Sequence, residues 1–76
     1  MEVHIGVVYT AREIVLEMDG DAETVSSTVE AAVREKNPLL WLVDSKGRRV
    51  GIPTDKLAYV EIAGADADRK VGFGSR

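Results

Sequence analysis

The sequence has no cysteine, a single histidine and few aromatic residues: one tryptophan, two tyrosines and one phenylalanine among 76 positions. Without cysteine, the chain can form neither a disulfide framework nor a thiolate metal site. His4 is the only imidazole base, and no thiol nucleophile accompanies it. A metal site at His4 would need clustered carboxylates, and the spacing along the sequence shows no such cluster. We therefore predict no catalytic residues, no metal, no cofactor and no enzyme activity.

Long apolar runs are also absent, since the longest, at residues 38–43, has six residues. A helix that spans a bilayer needs about 20. Residues 1–5 lack the basic start and the apolar stretch that are typical of a signal peptide. These features predict a cytoplasmic protein that has no membrane partner.

Charge is distributed unevenly along the chain, although the net charge is only −3. Residues 1–35 carry eight acidic and two basic side chains, and residues 36–76 carry eight basic and five acidic ones. The second part can attract an acidic partner. Its charge is nevertheless well below the strongly basic footprint of a dedicated nucleic-acid-binding domain.

The pattern of apolar residues predicts two strands followed by a helix. Val3, Ile5 and Val7 alternate with their neighbours, and a second alternation runs from residue 13 to residue 18. Asp21 is suited to cap a helix, because its carboxylate can accept a hydrogen bond from the first turn. Asn37 precedes a proline, which disfavours the helical conformation, so the helix is expected to end there.

The second half of the chain predicts three more strands. Residues 39–43 are apolar at every position, which is typical of a central strand that is buried on both faces. Residues 44–47 predict a tight turn, with Gly47 in the left-handed conformation that a type I turn with a bulge requires. Further strands are expected at residues 48–52 and 57–62.

These elements predict one small α+β domain over residues 1–64 with the order ββαβββ, followed by a C-terminal tail over residues 65–76. The sheet is expected to be mixed or antiparallel, with the single helix packed on one face. The predicted core consists of Val3, Ile5, Val7, Ile14, Leu16, Val25, Val29, Val33, Val50, Val60 and Ile62.

The sheet face opposite the helix is predicted to carry an apolar patch. Strand alternation places four residues on it: Val8, Val15, Trp41 and Tyr59. An apolar patch that one helix leaves uncovered is typical of an interface. Three possibilities remain open for what covers this patch: a second copy in a homo-oligomer, the C-terminal tail, or another protein. The first of these predicts a non-enzymatic binding or assembly module.

A second candidate site is the basic hairpin around residues 46–49, which could bind an anion or a nucleic acid. Two residues of the tail would extend it if the tail folds back. The candidate residues are Lys46, Arg48, Arg49, Lys56, Arg69 and Lys70. Alternatively, the same charges are solvated and discourage unwanted strand pairing at a sheet edge. Weak nucleic-acid or nucleotide binding is therefore the alternative function.

Six segments together resemble a family of short, uncharacterised actinobacterial proteins. They are MEVHIG at residues 1–6, REIVLE at 12–17, KGRRV at 46–50, IP at 52–53, KLAYVEI at 56–62 and KVGFG at 70–74. Trp41 departs from the resemblance, which implies a smaller or polar residue there. Members are sometimes labelled ATP-binding, so the resemblance implies ATP as a ligand. However, the sequence has no phosphate-binding loop of the Gly-x-x-x-x-Gly-Lys-Ser/Thr type, and it favours a flexible tail around residues 72–74.

Overall fold

The computed structural model describes residues 1–63 and, as backbone, residues 69–72. Its elements are β1 (Glu2–Val7), β2 (Ile14–Glu17), α1 (Ala22–Arg34), β3 (Leu39–Val43), β4 (Arg49–Pro53), a 3₁₀ turn (Thr54–Lys56), β5 (Leu57–Ala63) and β6 (Arg69–Gly72). The α+β class and the ββαβββ order through β5 are confirmed. Strand β6 was not predicted, and it lies in the segment assigned to the C-terminal tail. The remainder of that segment lies outside the described residues.

The strands form two antiparallel sheets. One sheet has four strands in the order β2-β1-β5-β6, and the other consists of β3 and β4. The antiparallel alternative is therefore the observed one. Within the described residues β3 pairs only with β4, so the prediction that it is a central strand is wrong. Its residues are apolar at every position, but they alternate between buried and exposed.

Helix α1 has the start that the sequence predicts. The Asp21 carboxylate accepts a hydrogen bond from the Thr24 backbone amide at 2.8 Å, which pairs one of the amides left open at a helix start. This bond holds the pKa of Asp21 below its usual value. At the other end, Lys36 adopts a left-handed φ of 58° and breaks the helical path before Pro38.

The β3–β4 turn is also as predicted. Gly47 has a φ of 83°, and its amide donates to the Asp44 carbonyl at 3.0 Å. The Asp44 carboxylate is buried and accepts from the backbone amides of Lys46 and Arg48 and from the Arg48 Nε. A further bond, from the Ser45 amide to the Glu17 carbonyl at 2.8 Å, ties the turn to the end of β2. One carboxylate therefore organises the turn.

The core lies between the inner face of the four-stranded sheet and a second layer made of α1 and the β3–β4 sheet. Seven predicted core residues are buried, and Val7, Ile14, Val33 and Val50 are only partly buried against them. The buried residues that the prediction missed are Met18, Ala32, Leu40, Leu42, Ile52 and Leu57. Half of these belong to the β3–β4 sheet, because its apolar residues gave no alternation from which an inner face could be chosen.

Helix length and apolar character also bear on membrane insertion. Over residues 1–63 and 69–72, no helix is both long and apolar enough to cross a bilayer.

Candidate functional site

The four residues predicted to share one sheet face do not share it. Val15 on β2 and Tyr59 on β5 belong to the four-stranded sheet, whereas Trp41 belongs to the two-stranded one. Val8 follows β1 in a turn, where its amide donates to the Lys56 carbonyl at 2.8 Å. The patch divides because β3, which carries Trp41, does not join the sheet that holds the other strands.

The largest exposed apolar group near Trp41 is a stripe along β3. Leu39, Trp41 and Val43 are 39%, 51% and 51% exposed, and they alternate with the buried Leu40 and Leu42. Since side chains on a strand alternate between its two faces, the three exposed residues lie on one face. Together with their ladder partners on β4, namely Arg49, Gly51 and Pro53, they form the surface that we call the aromatic face.

The Trp41 ring is held across β4 by two neighbours. A Cβ placed on Gly51 would lie 2.9 Å from the ring, so the ring occupies the space that any larger residue would need. The Arg49 guanidinium carbon lies 5.3 Å from the ring centroid, within the range of a cation–π interaction. The aromatic face therefore presents an ordered tryptophan, although half of that side chain is exposed.

A groove of about 210 Å³ runs beside the aromatic face, between α1 and β3. The helix contributes Thr24 and Thr28, and the strand contributes Trp41 and Val43. The groove extends the apolar surface of β3 towards the first half of the helix.

The predicted basic residues are dispersed. Lys46 and Arg48 lie at the β3–β4 turn, facing Glu2 and Glu17 across an open depression of about 250 Å³. The Arg48 Nε donates to Asp44 at 2.9 Å, so part of its donor capacity is already used. The mixture of signs at the turn weakens the anion-binding prediction.

The other predicted bases lie elsewhere. Arg49 stacks on Trp41, and Lys56 lies in the 3₁₀ turn at the far end of β4. Arg69 and Lys70 are residues of β6, at the edge of the other sheet, opposite Ile62 and Glu61 in the β5 ladder. Only Lys46, Arg48 and Arg49 remain together at the hairpin.

The structure also assembles a carboxylate–histidine cluster on the outer face of the four-stranded sheet, consisting of Glu2, His4, Glu13, Tyr59 and Glu61. The His4 Nδ1 lies 2.9 Å from a Glu13 oxygen, and its Nε2 lies 3.0 Å from a Glu2 oxygen. Glu61 is the ladder partner of His4 on β5. Ligand atoms of His4, Glu13 and Glu61 all lie within 4.8 Å of one another.

Sequence reasoning missed this cluster because its members are far apart along the chain. Glu13 reaches His4 only when β1 and β2 pair, and Glu61 reaches it only when β5 pairs with β1. The one available signal was the short spacing between the two strands predicted before the helix, since pairing them brings Glu13 near the strand that carries His4. The statement that no carboxylates cluster about His4 is therefore wrong.

Hydrogen bonds shift the pKa values of two groups in the cluster. The bond to Glu13, and then the bond to Glu2, raise the pKa of His4 above its ordinary value, since both stabilise the imidazolium. The Tyr59 hydroxyl donates to the other oxygen of Glu13, and this bond raises the pKa of Tyr59. The Tyr59 ring covers Gly6, where a Cβ would lie 2.1 Å from a ring carbon.

A comparison with protein-family models matches nearly the whole chain. The model of the DUF3107 family, described as a protein of unknown function, matches residues 1–74. A search of the curated proteins found no significant match.

Proposed function

The chain belongs to the DUF3107 family, whose function is unknown, and we propose that it is a non-enzymatic assembly module that pairs with a second copy of itself. The contact surface in this proposal is the aromatic face. The observation that carries it is the exposure of half of the Trp41 side chain at the centre of an apolar stripe. Tryptophan and arginine are the residue types most enriched among the dominant contributors to protein interfaces.

The shape of the stripe favours a second copy as the partner. Leu39, Trp41 and Val43 form an aliphatic–aromatic–aliphatic row, and such a row is nearly unchanged when its direction is reversed. A two-fold axis through Trp41 therefore places Leu39 of each copy against Val43 of the other, and the tryptophans against each other. Two-fold dimers with self-complementary interfaces are the commonest homo-oligomers.

Charge supports the same arrangement. The outward positions of β3 and β4 include no acidic residue, and Arg49 is their only basic one. The Arg49 guanidinium lies over the tryptophan ring of its own chain, where a cation–π interaction engages its charge. Small domains also gain most from association, since a chain of this length buries only about 60% of its unfolded surface by folding alone.

The test combines mass and fluorescence. Trp41 is the only tryptophan, so its emission reports directly on the aromatic face. We expect the mass from light scattering to reach that of two chains as concentration rises, with a parallel blue shift of the emission. Trp41→Ser should remain at the mass of one chain. Val15→Ser is the matched control, because Val15 is 47% exposed on the other sheet, and it should associate like the parent.

Two results would reject the proposal. One is a mass of one chain at every concentration with an unchanged tryptophan emission. The other is association that Trp41→Ser leaves intact and Val15→Ser removes, since the contact would then be on the four-stranded sheet. Truncation of residues 65–76 is not a clean control, because Arg69–Gly72 forms the edge strand β6.

Weak binding of a nucleic acid or a nucleotide is the second candidate, and the stacking of Arg49 on Trp41 favours it. An aromatic ring beside a cation is a platform on which a base can stack. An ATP ligand is part of this second candidate and stays a prediction. An actinobacterial source and a cytoplasmic location also stay predictions. Lys46→Ser combined with Arg49→Ser should abolish salt-sensitive RNA binding. RNA binding that this variant retains, or a parent that binds no RNA at low salt, rejects the candidate.

A further inference from the structure

We propose that the carboxylate–histidine cluster is a binding site for a zinc ion, with His4, Glu13 and Glu61 as its protein ligands. The ligand atoms of these three side chains lie within 4.8 Å of one another. Zinc is bound in proteins by imidazole nitrogen and carboxylate oxygen at about 2.0–2.2 Å, and sites with three protein ligands keep a fourth position for water. This site is on the opposite sheet from the aromatic face and is independent of the proposed association.

Backbone pairing places the three ligands around one point. His4 lies on the central strand β1, and Glu61 is directly opposite it on β5. Directly opposed side chains on one face have Cβ atoms about 4.5–5.5 Å apart. Glu13 immediately precedes β2, which pairs with the other edge of β1. The histidine is thus flanked by Glu61 from β5 and by Glu13 from the residue just before β2, and the β1–β5 ladder fixes the position of Glu61 relative to His4.

A second group of side chains orients the ligands. The Glu2 carboxylate lies 3.0 Å from the His4 Nε2 and accepts a hydrogen bond from it when that nitrogen carries a proton. When Nδ1 binds a metal, Nε2 carries the proton. The Nε2–H group then donates a hydrogen bond to the Glu2 carboxylate, as in carboxylate–histidine–zinc triads. Tyr59 binds the Glu13 oxygen that does not face His4, and its ring is seated on Gly6. These contacts hold two of the three ligands in one orientation.

The geometry requires only small side-chain movements. Ligand atoms at the corners of a zinc tetrahedron lie about 3.4 Å apart, given the bond lengths above. The His4 Nδ1 and the Glu13 oxygen are 2.9 Å apart and must separate by about 0.5 Å, and no pair of ligand atoms must close by more than about 1.4 Å. His4 and Glu13 are 26% and 36% exposed, so neither side chain is locked by close packing against a shift of this size.

The imidazole selects the class of ion. Magnesium and calcium prefer sites made entirely of oxygen ligands, whereas imidazole nitrogen suits zinc and the later first-row divalent ions. We therefore expect zinc to bind far more tightly than magnesium or calcium.

The experiment is a titration of the chelator-treated full chain with zinc chloride. Calorimetry should give one zinc ion per chain. Because His4 is the only histidine, its two ring signals in an NMR spectrum report on the site without assignment, and both should shift until one equivalent is bound. Glu13→Gln and Glu61→Gln should each weaken binding at least tenfold, since a neutral amide is a poor zinc ligand. Far-UV circular dichroism checks that each variant is folded.

Glu17→Gln is the matched control. Glu17 lies on the same hairpin, but its carboxylate contacts the amino group of Met1 at 2.6 Å and not His4. Zinc affinity should be unchanged in this variant. A loss of binding in Glu17→Gln would place the ion at the chain start and overturn the proposal. So would His4 ring signals that zinc does not move, or an affinity that Glu13→Gln and Glu61→Gln both leave unaltered.

Discussion

Two adjacent leucines on β3 provide a sharp test of the fold. Leu40 is 1% exposed and faces the core, whereas Leu39 is 39% exposed on the aromatic face. Replacing each by alanine removes the same atoms from neighbouring positions of one strand. The two variants therefore differ only in the face of the strand on which the change is made.

The expected losses of unfolding free energy differ about twofold or more. Alanine removes three carbons, each worth about 0.8 kcal/mol when buried. Leu40→Ala also leaves a cavity in the core, so its total cost is about 3–4 kcal/mol. For Leu39→Ala the partial exposure reduces the transfer free energy to at most about 1.5 kcal/mol, and no closed cavity forms. Leu40→Ala removes a large share of the stability of a small domain, which is about 5–15 kcal/mol in total.

The test compares the midpoints of urea unfolding of the two variants and the parent, measured by circular dichroism. With a slope near 1 kcal/mol per molar urea, Leu40→Ala should lower the midpoint by about 3–4 M and Leu39→Ala by at most about 1.5 M. The measurement belongs at a protein concentration where light scattering gives the mass of one chain. Otherwise a loss of association would add to the apparent cost of Leu39→Ala.

Equal midpoints for the two variants would refute the assignment of the faces of β3. A larger loss for Leu39→Ala would mean that the strand is rotated, with the odd-numbered residues inside. In that event Trp41 would be a core residue, and the proposed association through the aromatic face would fail with the fold.

Three further predictions follow from single contacts. Ile62→Ala, at a fully buried position, should cost about 2–5 kcal/mol in urea unfolding against about 1 kcal/mol for Ile62→Val, and a parent-like midpoint would contradict the β5 register. Gly51→Ala should displace the Trp41 ring, seen as a changed tryptophan signal in near-UV circular dichroism with the far-UV spectrum retained; an unchanged signal would count against the packing of ring on glycine. Hydrogen bonds, of which the one from the Arg48 backbone amide has the largest effect, hold the pKa of Asp44 below its ordinary 3.8. The ionised Asp44 therefore stabilises the fold above pH 3.8, and this stabilisation is lost as the pH falls through the folded pKa. Asp44→Asn should therefore lower the urea midpoint at neutral pH, and the gap from the parent should close in acid, whereas Asp55→Asn should show neither effect.

Local signals in the sequence account for most of the elements. The Asp21 cap and the Gly47 turn are present in the structure as predicted, because each depends on the conformation of a few neighbouring residues. The helix ends at Arg34, three residues before the predicted stop at Asn37. The period-two alternation of β1 likewise identified Val3 and Ile5 as buried. Such features are decided within about one turn of chain.

Two features could not be predicted in the same way. One is which face of β3 is buried, and the other is that residues 69–72 form a strand of the four-stranded sheet. A strand that is apolar at every position contains no alternation from which to choose an inner face. Arg69–Gly72 has little apolar character, and it is a strand because β5 offers it a ladder partner. Both outcomes depend on residues distant in sequence.

The same distinction between local and long-range features applies to the candidate sites. The local sequence was sufficient to predict that Trp41 lies in an apolar strand ahead of a basic turn, since both features belong to one hairpin. The outward orientation of Trp41 beside Arg49, and the position of Val15 and Tyr59 on a different sheet, follow from the packing of the whole chain. The tertiary structure alone joined His4 to Glu61, because that contact requires β1 and β5 to pair across most of the chain. Strand pairing over such distances is set by the packing of the whole core, which no local pattern encodes.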